Sequence, residues 1–253
     1  MSTYCELSAP APLAQWVACG WVSVRPGGAR ILPDGCVDLV WTGQRLIVAG
    51  PATVAQMSND APGVPKVGVR FRVGAAGAAL GLPASELVDA NPLAADVVGN
   101  EVADRVAEVG DAPERVLMEL TALVAARLRQ APPADPLVRA AARALAVPGS
   151  RVRSVAAELG LSERQLRRRF DAAVGYAPKT LARVLRLQRF LALVRGPAGP
   201  GLSDGGLARL AADAGYADQA HLTRECVDLT GVPPTALLAE HRAPAGEREL
   251  LGG

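Results

Sequence analysis

Two short stretches in the C-terminal part of the chain place polar side chains, arginine above all, on one face of a predicted helix. The face is formed in the first stretch by Arg164, Arg167 and Arg168, with Arg169 at its edge, and in the second by Gln219, His221 and Arg224. Arginine can donate two hydrogen bonds to a guanine, and glutamine can pair with an adenine. A helix that presents these groups in its first turns suits the major groove of a duplex. The residue types therefore predict a surface that contacts base edges.

The two stretches are copies of one repeat. Residues Ser154–Phe170 align with residues Arg209–Cys226, and each copy contains the pattern Ala-x-x-x-Gly. The aligned pairs are Ala156 with Ala211, Gly160 with Gly215 and, past one inserted residue, Leu166 with Leu222, Gly175 with Gly231 and Pro178 with Pro234. A single copy of such a pattern is weak evidence, because any two packed helices with a glycine turn produce it. Two aligned copies indicate a duplicated helix-turn-helix unit.

Each position of the repeat has a mechanical reason. Two short helices that cross steeply touch near their midpoints, where only a small residue such as Ala156 fits. The turn needs a left-handed backbone, which favours Gly160. Ser162, and Asp218 in the second copy, can accept hydrogen bonds from the start of the next helix. The remaining apolar residues, four apart on the second helix of each unit, are predicted to be buried: Leu166 and Phe170, then Leu222 and Cys226.

One long helix is predicted between the two copies, from Lys179 to Arg195. At 1.5 Å per residue it is roughly 25 Å long, which would hold the two units about one turn of DNA apart. Arg183, Arg186 and Arg189 are candidates for phosphate contact or, equally, for simple surface solubility. The candidate DNA-contacting residues are Ser162, Arg164, Gln165, Arg167, Arg168, Lys179, Asp218, Gln219, His221 and Arg224.

The charge is distributed unevenly along the chain. The net charge is +2, yet residues 148–242 carry 14 Lys and Arg against 9 Asp and Glu. A basic C-terminal half beside a mildly acidic N-terminal half indicates a polyanionic partner for one half only. The modest total argues against a sequence-independent DNA-binding protein, which needs many phosphate contacts.

The N-terminal part has a different pattern, with short β-branched runs between Gly- and Pro-rich turns. Strands are predicted at Trp21–Arg25, Val37–Trp41, Arg45–Ala49 and Val67–Arg72, and their spacing favours a small barrel or sandwich. The predicted fold class is α+β, with this β-rich domain followed by an all-α domain of two helix-turn-helix units joined by a long helix. The expected divisions are a β-rich sensor domain at 1–95, a helical connector or dimerisation segment at 96–132, the DNA-binding domain at 133–243 and a tail at 244–253.

Residues 135–242 resemble the AraC/XylS family of transcriptional regulators. The resemblance is carried by Gly160-Leu-Ser162, Gly175-Tyr-Ala-Pro178, Gly215-Tyr216, Asp218-Gln219 and Gly231-Val-Pro-Pro234. It implies a bacterial transcription factor whose two recognition helices enter adjacent major grooves of double-stranded DNA. The second copy departs from the family pattern, with Leu222 and Cys226 where Phe is usual and Val227-Asp228 where basic residues are usual. The second unit is therefore expected to pack more loosely and to contribute less affinity.

The N-terminal domain resembles an uncharacterised β-rich domain that precedes this DNA-binding region in some regulators. The matching stretches are Leu32–Trp41, Ala49–Pro51, Gly68–Ala75 and Leu80–Pro83. A regulator of this kind is expected to respond to a small-molecule effector, and RNA polymerase and a second copy of the chain are further expected partners. Helix Ala112–Gln130 could pack within the chain or form the seam of a homodimer.

Several N-terminal residues could contact such an effector. The candidates are Trp16, Trp21, Asp34, Cys36, Asp38, Trp41, Arg70 and Arg72. On a strand Arg70 and Arg72 would share one face and could pair with an anionic ligand. Alternatively, the tryptophans belong to the core, and the arginines lie on the surface or pair with Asp34 and Asp38.

Cys36 suggests an alternative function, a thiolate that accepts an alkyl group or senses oxidants. The four cysteines and two histidines lack the spacing of a zinc site or of a disulfide framework. No Ser-His-acid arrangement, phosphate-binding loop or pair of catalytic carboxylates stands out, so we expect no enzymatic activity, cofactor or metal. Residues 1–12 do not resemble a signal peptide, and no long uncharged apolar stretch could cross a membrane, which predicts a cytoplasmic protein without a membrane partner.

Overall fold

The computed structural model describes residues 3–58, 61–110, 112–195 and 206–242, and the side chains of residues 241 and 242 are left out of the description. The N-terminal part contains the strands and the C-terminal part is helical. The strands are β1 (Thr3–Ser8), β2 (Val17–Val24), β3 (Ala29–Ile31), β4 (Asp38–Trp41), β5 (Leu46–Ala49), β6 (Gln56–Ser58) and β7 (Lys66–Phe71). The helices are α1 (Ala76–Leu80), α2 (Ala94–Val98), α3 (Asn100–Glu108), α4 (Pro113–Leu128), α5 (Pro136–Leu145), α6 (Val152–Glu158), α7 (Glu163–Ala173), α8 (Pro178–Arg195), α9 (Gly206–Ala214), α10 (Gln219–Thr230) and α11 (Pro234–Arg242).

Five of the strands form one antiparallel sheet in the order β1-β2-β7-β4-β5, and β3 and β6 pair in a separate two-stranded sheet. The four strands predicted from sequence are present as β2, β4, β5 and β7. The edge strand β1 has five exposed residues out of six, so no burial alternation marks it. Strand β3 is only three residues long. These additional strands lacked the periodic signal on which sequence prediction depends.

The sheet does not close into a barrel within the part of the chain that the structure describes, which corrects that part of the expectation. Its two edges, β1 and β5, are not paired with each other. One face is covered by helix α4, because Leu120 and Val124 of the helix and Leu39 and Phe71 of the sheet belong to the same core. A helix thus buries the apolar face that a second half of a barrel would otherwise cover, and the N-terminal part is α+β.

Helix α4 packs within its own chain. Its buried residues are Val116, Leu120, Leu123, Val124 and Leu128. The helix comes close to β2, where a Cβ added to Gly20 would lie 2.7 Å from the Cδ1 of Leu117. The main apolar face of α4 is thus buried within the chain, which is the first of the two roles expected for this segment, packing within the chain or forming a homodimer.

The C-terminal helices form two cores that share α8. Leu181, near the start of α8, belongs to the core of the first unit together with Leu166 and Phe170. Further along the helix, Leu187 and Phe190 belong to the core of the second unit. Helix α8 therefore fixes each unit by a different part of its length.

The N-terminal part contacts both units. Val73 packs against the first core and Leu32 against the second. The Nε2 of Gln188, on α8, donates a hydrogen bond of 2.6 Å to the carbonyl of Pro33. No helix in the described ranges has the length and apolarity needed to cross a bilayer. The glycine-rich segment 196–205 and the predicted tail at residues 244–253 lie outside the described residues.

Two substitutions on α4 test whether this helix belongs to the core of the N-terminal part. Leu120 is fully buried and Met118 is 72% exposed. We expect Leu120→Ala to lower the free energy of unfolding by about 3 kcal/mol, because it removes buried methyl groups and leaves a cavity. Met118→Ala is the matched control and should change it by less than about 0.5 kcal/mol. Urea denaturation measures both, and equal effects of the two would contradict the packing of α4 on the sheet.

Candidate functional site

The first unit of the repeat has the predicted turn geometry. Ala156 is 1% exposed where α6 meets α7, and Gly160 has a φ of +68°. Ser162 caps α7, since its Oγ accepts a hydrogen bond of 3.2 Å from the backbone N–H of Gln165. The Gln165 Oε1 in turn accepts from the backbone N–H of Ser162 at 2.9 Å. This capping box fixes where α7 begins.

The outer face of α7 is open to solvent and basic. Arg164, Arg167 and Arg168 are exposed. Arg167 lies near Asp171 one turn along, at 3.8 Å, and keeps 71% of its side chain exposed. Arg169 turns away and pairs with Asp135 at 2.5 Å, so it joins α7 to the start of α5. Lys179, at the start of α8, is also exposed.

The second unit repeats this construction. Asp218 caps α10 by accepting a hydrogen bond of 2.6 Å from the backbone N–H of His221. Gly215 has a φ of +91° in the turn. Leu222 and Cys226 are fully buried, and the Cys226 thiol lies 3.4 Å from the carbonyl of Val232. The looser packing expected from these smaller residues is therefore not seen at either side chain.

The outer face of α10 carries fewer exposed polar side chains than predicted. Gln219 and Arg224 are exposed, as expected. His221 instead lies against Tyr216, with the two ring centroids 5.3 Å apart in an edge-to-face arrangement. Its Nδ1 accepts a hydrogen bond of 3.2 Å from the backbone N–H of Ala217, and its Nε2 lies 3.4 Å from Glu225. This histidine has a structural role in the turn of the second unit.

Glu225, on the inner side of α10, holds the second unit to α8. Its carboxylate accepts hydrogen bonds of 3.1 Å from the Nε of Arg183 and 3.1 Å from the Nε of Arg186, and only 12% of its side chain is exposed. Arg183 also pairs with Asp228 at 2.9 Å. The guanidinium of Arg186 lies 5.2 Å from the centre of the Tyr216 ring, a cation–π distance.

The three arginines that were candidates for phosphate contact or for surface solubility are thus engaged within the chain. The third, Arg189, donates a hydrogen bond of 2.8 Å to the carbonyl of Ala214 at the end of α9. Desolvation, together with the nearby charge of Arg186, lowers the pKa of Arg189. The sequence offered no sign of these pairs, since Glu225 and the arginines it binds are about forty residues apart.

The N-terminal candidates divide between the two faces of the sheet. Asp38 is buried on the face opposite α4, where it accepts hydrogen bonds from the Nε1 of Trp21 at 3.0 Å and from the Nε and Nη2 of Arg70 at 3.1 and 3.0 Å. Asp34 lies 3.1 Å from the same Arg70 guanidinium. Burial raises the pKa of Asp38 to about 6, while the positive charge of Arg70 acts in the opposite direction. Arg70 is therefore already paired with the two aspartates.

The other candidates lie elsewhere. Trp41 is part of the core beneath α4, and Trp16 packs against this core. Arg72 follows the last residue of β7 and donates a hydrogen bond of 2.6 Å to the carbonyl of Ala14, so it does not share the surroundings of Arg70. Cys36 lies half-buried beside Asp34, and both its desolvation and the negative charge of Asp34 raise the pKa of its thiol well above the usual range. These surroundings disfavour the thiolate that an alkyl-accepting or redox-sensing role requires.

The face of the sheet opposite α4 carries a cleft of about 450 Å³. Trp21, Asp38 and Arg70 are the sequence candidates that line it. Sequence reasoning missed Arg25, Arg45, Ile31 and Met57, which also line it. Ile31 and Met57 lie on β3 and β6, which are too short to give a periodic signal.

The two halves of the chain match different domain families. Residues 155–240 match a model described as "Helix-turn-helix domain", and residues 6–92 match a "Domain of unknown function (DUF6597)". No curated protein matches the sequence. Two crystal structures of ToxT from Vibrio cholerae have a similar arrangement. The first, from strain O395, is 11% identical and has a TM-score of 0.43, with 96% of this chain and 98% of the ToxT chain covered. The second, of an apo ToxT variant, is 12% identical and has a TM-score of 0.42, with 95% and 97% covered.

The two helix-turn-helix units and their polar outer faces define a DNA-binding transcription regulator. More closely, the chain combines an AraC-type helix-turn-helix domain with an N-terminal DUF6597 domain, as the resemblance predicted. The structural likeness to ToxT is too low to add to this conclusion.

Removing the Glu225 carboxylate tests its role in joining α10 to α8. We expect Glu225→Gln to destabilise the protein by about 3 kcal/mol, because the guanidinium groups of Arg183 and Arg186 would be left partly buried without their anion. Asp171→Asn is the matched control: it removes an exposed ion pair and should cost less than about 0.5 kcal/mol. Thermal or urea unfolding gives both values. A loss for Glu225→Gln no larger than that for the control would show that the pair does not hold the second unit.

Proposed function

We propose that the protein is a sequence-specific transcriptional regulator that reads two adjacent half-sites with helices α7 and α10. One observation carries this proposal: each helix begins at a capped turn and presents solvent-exposed polar side chains along its outer face. These are Arg164, Arg167 and Arg168 on α7, and Gln219 and Arg224 on α10. The remaining candidates, Ser162, Gln165 and Asp218, define the helix starts, where free backbone N–H groups favour phosphate contacts.

The two helices are expected to contribute unequally. The face of α7 carries three exposed arginines, whereas that of α10 carries one exposed arginine and one glutamine because His221 packs inward. Each bidentate contact between a side chain and a base is worth about 1–3 kcal/mol of discrimination. We therefore propose that the first unit supplies more of the affinity than the second, with Lys179 adding a phosphate contact beside the first unit.

We further propose that the N-terminal domain responds to a small-molecule effector and passes the response to the second unit through β3. Arg30, the central residue of β3, donates a hydrogen bond of 2.7 Å from its Nη1 to the carbonyl of Thr230 at the end of α10. Its Nε and Nη2 pair with Glu240 of α11 at 3.2 and 3.3 Å. A residue just before β6, Ala55, donates its backbone N–H to the carbonyl of Leu229 at 2.7 Å. A displacement of this small sheet would act directly on the recognition helix of the second unit.

Selection of bound duplexes from a random DNA pool tests the two-site reading. We expect a bipartite motif whose halves lie about one helical turn apart. Arg167→Ala should relax the sequence preference in one half and Arg224→Ala in the other, each by about 1–3 kcal/mol at the contacted bases. Arg115→Ala, an exposed arginine on α4, is the matched control and should leave the motif unchanged.

The same variants test the inequality between the units. Affinity for the selected duplex, measured at fixed salt, should fall further for Arg167→Ala than for Arg224→Ala. A motif with a single half, or comparable losses of affinity, would contradict the unequal two-site proposal. Failure to enrich any sequence would contradict sequence-specific binding by the full chain under those conditions.

Hydrogen exchange tests the connection through Arg30. We expect Arg30→Ala to raise the exchange rate of amides in residues 229–240 by roughly fivefold, because the ion pair and the carbonyl contact that restrain the end of α10 are lost. Arg115→Ala, which alters an exposed arginine on α4 outside the cleft, should leave these amides unchanged. Equal exchange in the two variants would mean that β3 does not restrain the second unit.

A further inference from the structure

The cleft on the open face of the N-terminal sheet has an apolar floor that crosses four strands. The register places Trp21 of β2 beside Gly68 of β7, Gly68 beside Val40 of β4, and Val40 beside Ile47 of β5. A Cβ added to Gly68 would lie 2.4 Å from the Cε2 of Trp21, so the indole lies directly over this glycine. The strip spans three strand spacings of about 4.8 Å, or roughly 14 Å.

One end of this floor is closed by ion pairs within the chain. Arg70 and Asp38 face each other across β7 and β4, and their guanidinium and carboxylate groups are joined by two hydrogen bonds. Asp34 and Glu6 lie 3.1 and 3.9 Å from the same guanidinium. Arg70 is surrounded by carboxylates, and a further anion would be repelled from this end.

The opposite end is cationic. Arg25, just after β2, and Arg45, just before β5, both line the cleft. The Nε of Arg25 donates a long hydrogen bond of 3.4 Å to the hydroxyl of Ser23. Among the described residues, no carboxylate lies within ion-pair distance of either arginine.

We propose that this cleft binds a small amphipathic anion with a flat apolar body. The apolar body would cover the strip from Trp21 to Ile47, and the anionic group would reach the guanidinium groups of Arg25 and Arg45, where charge-assisted hydrogen bonds are strongest. A cleft of about 450 Å³ lies within the usual size of a small-molecule site. This inference rests on the proposed regulatory function, for which it supplies the chemical class of the effector.

The position of the cleft agrees with such a role. Ile31 of β3 and its cross-strand partner Gln56 of β6 both line it. Ile31 directly follows Arg30, and successive residues of a strand point to opposite faces, so one short strand contacts the cleft on one side and the second helix-turn-helix unit on the other. A ligand that presses on Ile31 would therefore act on the strand that carries Arg30.

Two fluorescent probes of matched shape test the proposal on the full-length protein. One is 8-anilinonaphthalene-1-sulfonate, a flat apolar anion, and the other is N-phenyl-1-naphthylamine, which has the same rings without the sulfonate. We expect the double variant Arg25→Gln, Arg45→Gln to weaken binding of the anionic probe by roughly tenfold and that of the neutral probe by less than about twofold. Arg115→Gln, outside the cleft, is the matched control and should change neither dissociation constant.

A variant that fills the floor locates the probe. Ala49 lines the cleft beside Asp38, and Ala49→Phe should abolish binding of both probes while the melting temperature stays close to that of the wild type. Unchanged binding of the anionic probe in either the double variant or Ala49→Phe would overturn the proposal. DNA selection with the same proteins separates the two ideas. If DNA selection gives a bipartite motif but the cleft variants leave probe binding unchanged, only the anion site is refuted. If the cleft variants lose probe binding but no DNA motif is enriched, only the regulatory function is refuted.

Discussion

Helix α8 packs against three parts of the chain at once, and the arrangement of the whole C-terminal half depends on these contacts. Its first turns bury Leu181 in the core of the first unit, and its later turns bury Leu187 and Phe190 in the core of the second. Next to Leu187, Gln188 donates a hydrogen bond to the carbonyl of Pro33 in the N-terminal domain. A helix of 18 residues is stiff, so the two units cannot change their separation without disturbing a buried side chain. The separation of the two helix-turn-helix units is thus determined by packing inside the protein.

The ion pairs of the second unit follow from that constraint. Arg183 and Arg186 lie on the side of α8 that faces α10, and their charges would be costly there without Glu225. The acidic Asp228, which departs from the family pattern, has a structural explanation as a second partner of Arg183. A basic residue at this position would lie close to the same guanidinium and repel it. The departure therefore changes how the second unit is held to α8, while Gln219 and Arg224 on the outer face of α10 stay exposed.

The features that could be predicted are those whose sequence signals are local, and the features that could not be predicted depend on residues far apart along the chain. The helix-turn-helix units could be predicted because their requirements are local: Gly160 for a turn with positive φ, Ser162 for a cap, and small or apolar residues at fixed spacing. The roles of His221 and Arg183 could not be predicted, because a helical pattern shows which residues share a face but not which distant carboxylate faces them. The same holds for Arg70. Its pairing with Asp38 and Asp34 was one of two alternatives from sequence, and the strand register decides between them. The prediction of a closed barrel was wrong for a physical reason. Strands alternate apolar and polar residues in the same way whether α4 or another sheet covers their apolar face.

The short sheet of β3 and β6 contacts the end of α10 in the second helix-turn-helix unit. The guanidinium of Arg30 and the backbone N–H of Ala55 donate hydrogen bonds to the carbonyls of Thr230 and Leu229, so the last turn of α10 is bound to the N-terminal domain. A two-stranded sheet has little stability of its own, and its position is set by what packs on each side. On one side lies the second helix-turn-helix unit and on the other lies the cleft. Free energies of coupling are reciprocal. If α10 contacts DNA and the cleft binds an effector that displaces this sheet, as we propose, DNA must therefore change the affinity of the cleft for the effector by the same factor as the effector changes the affinity for DNA.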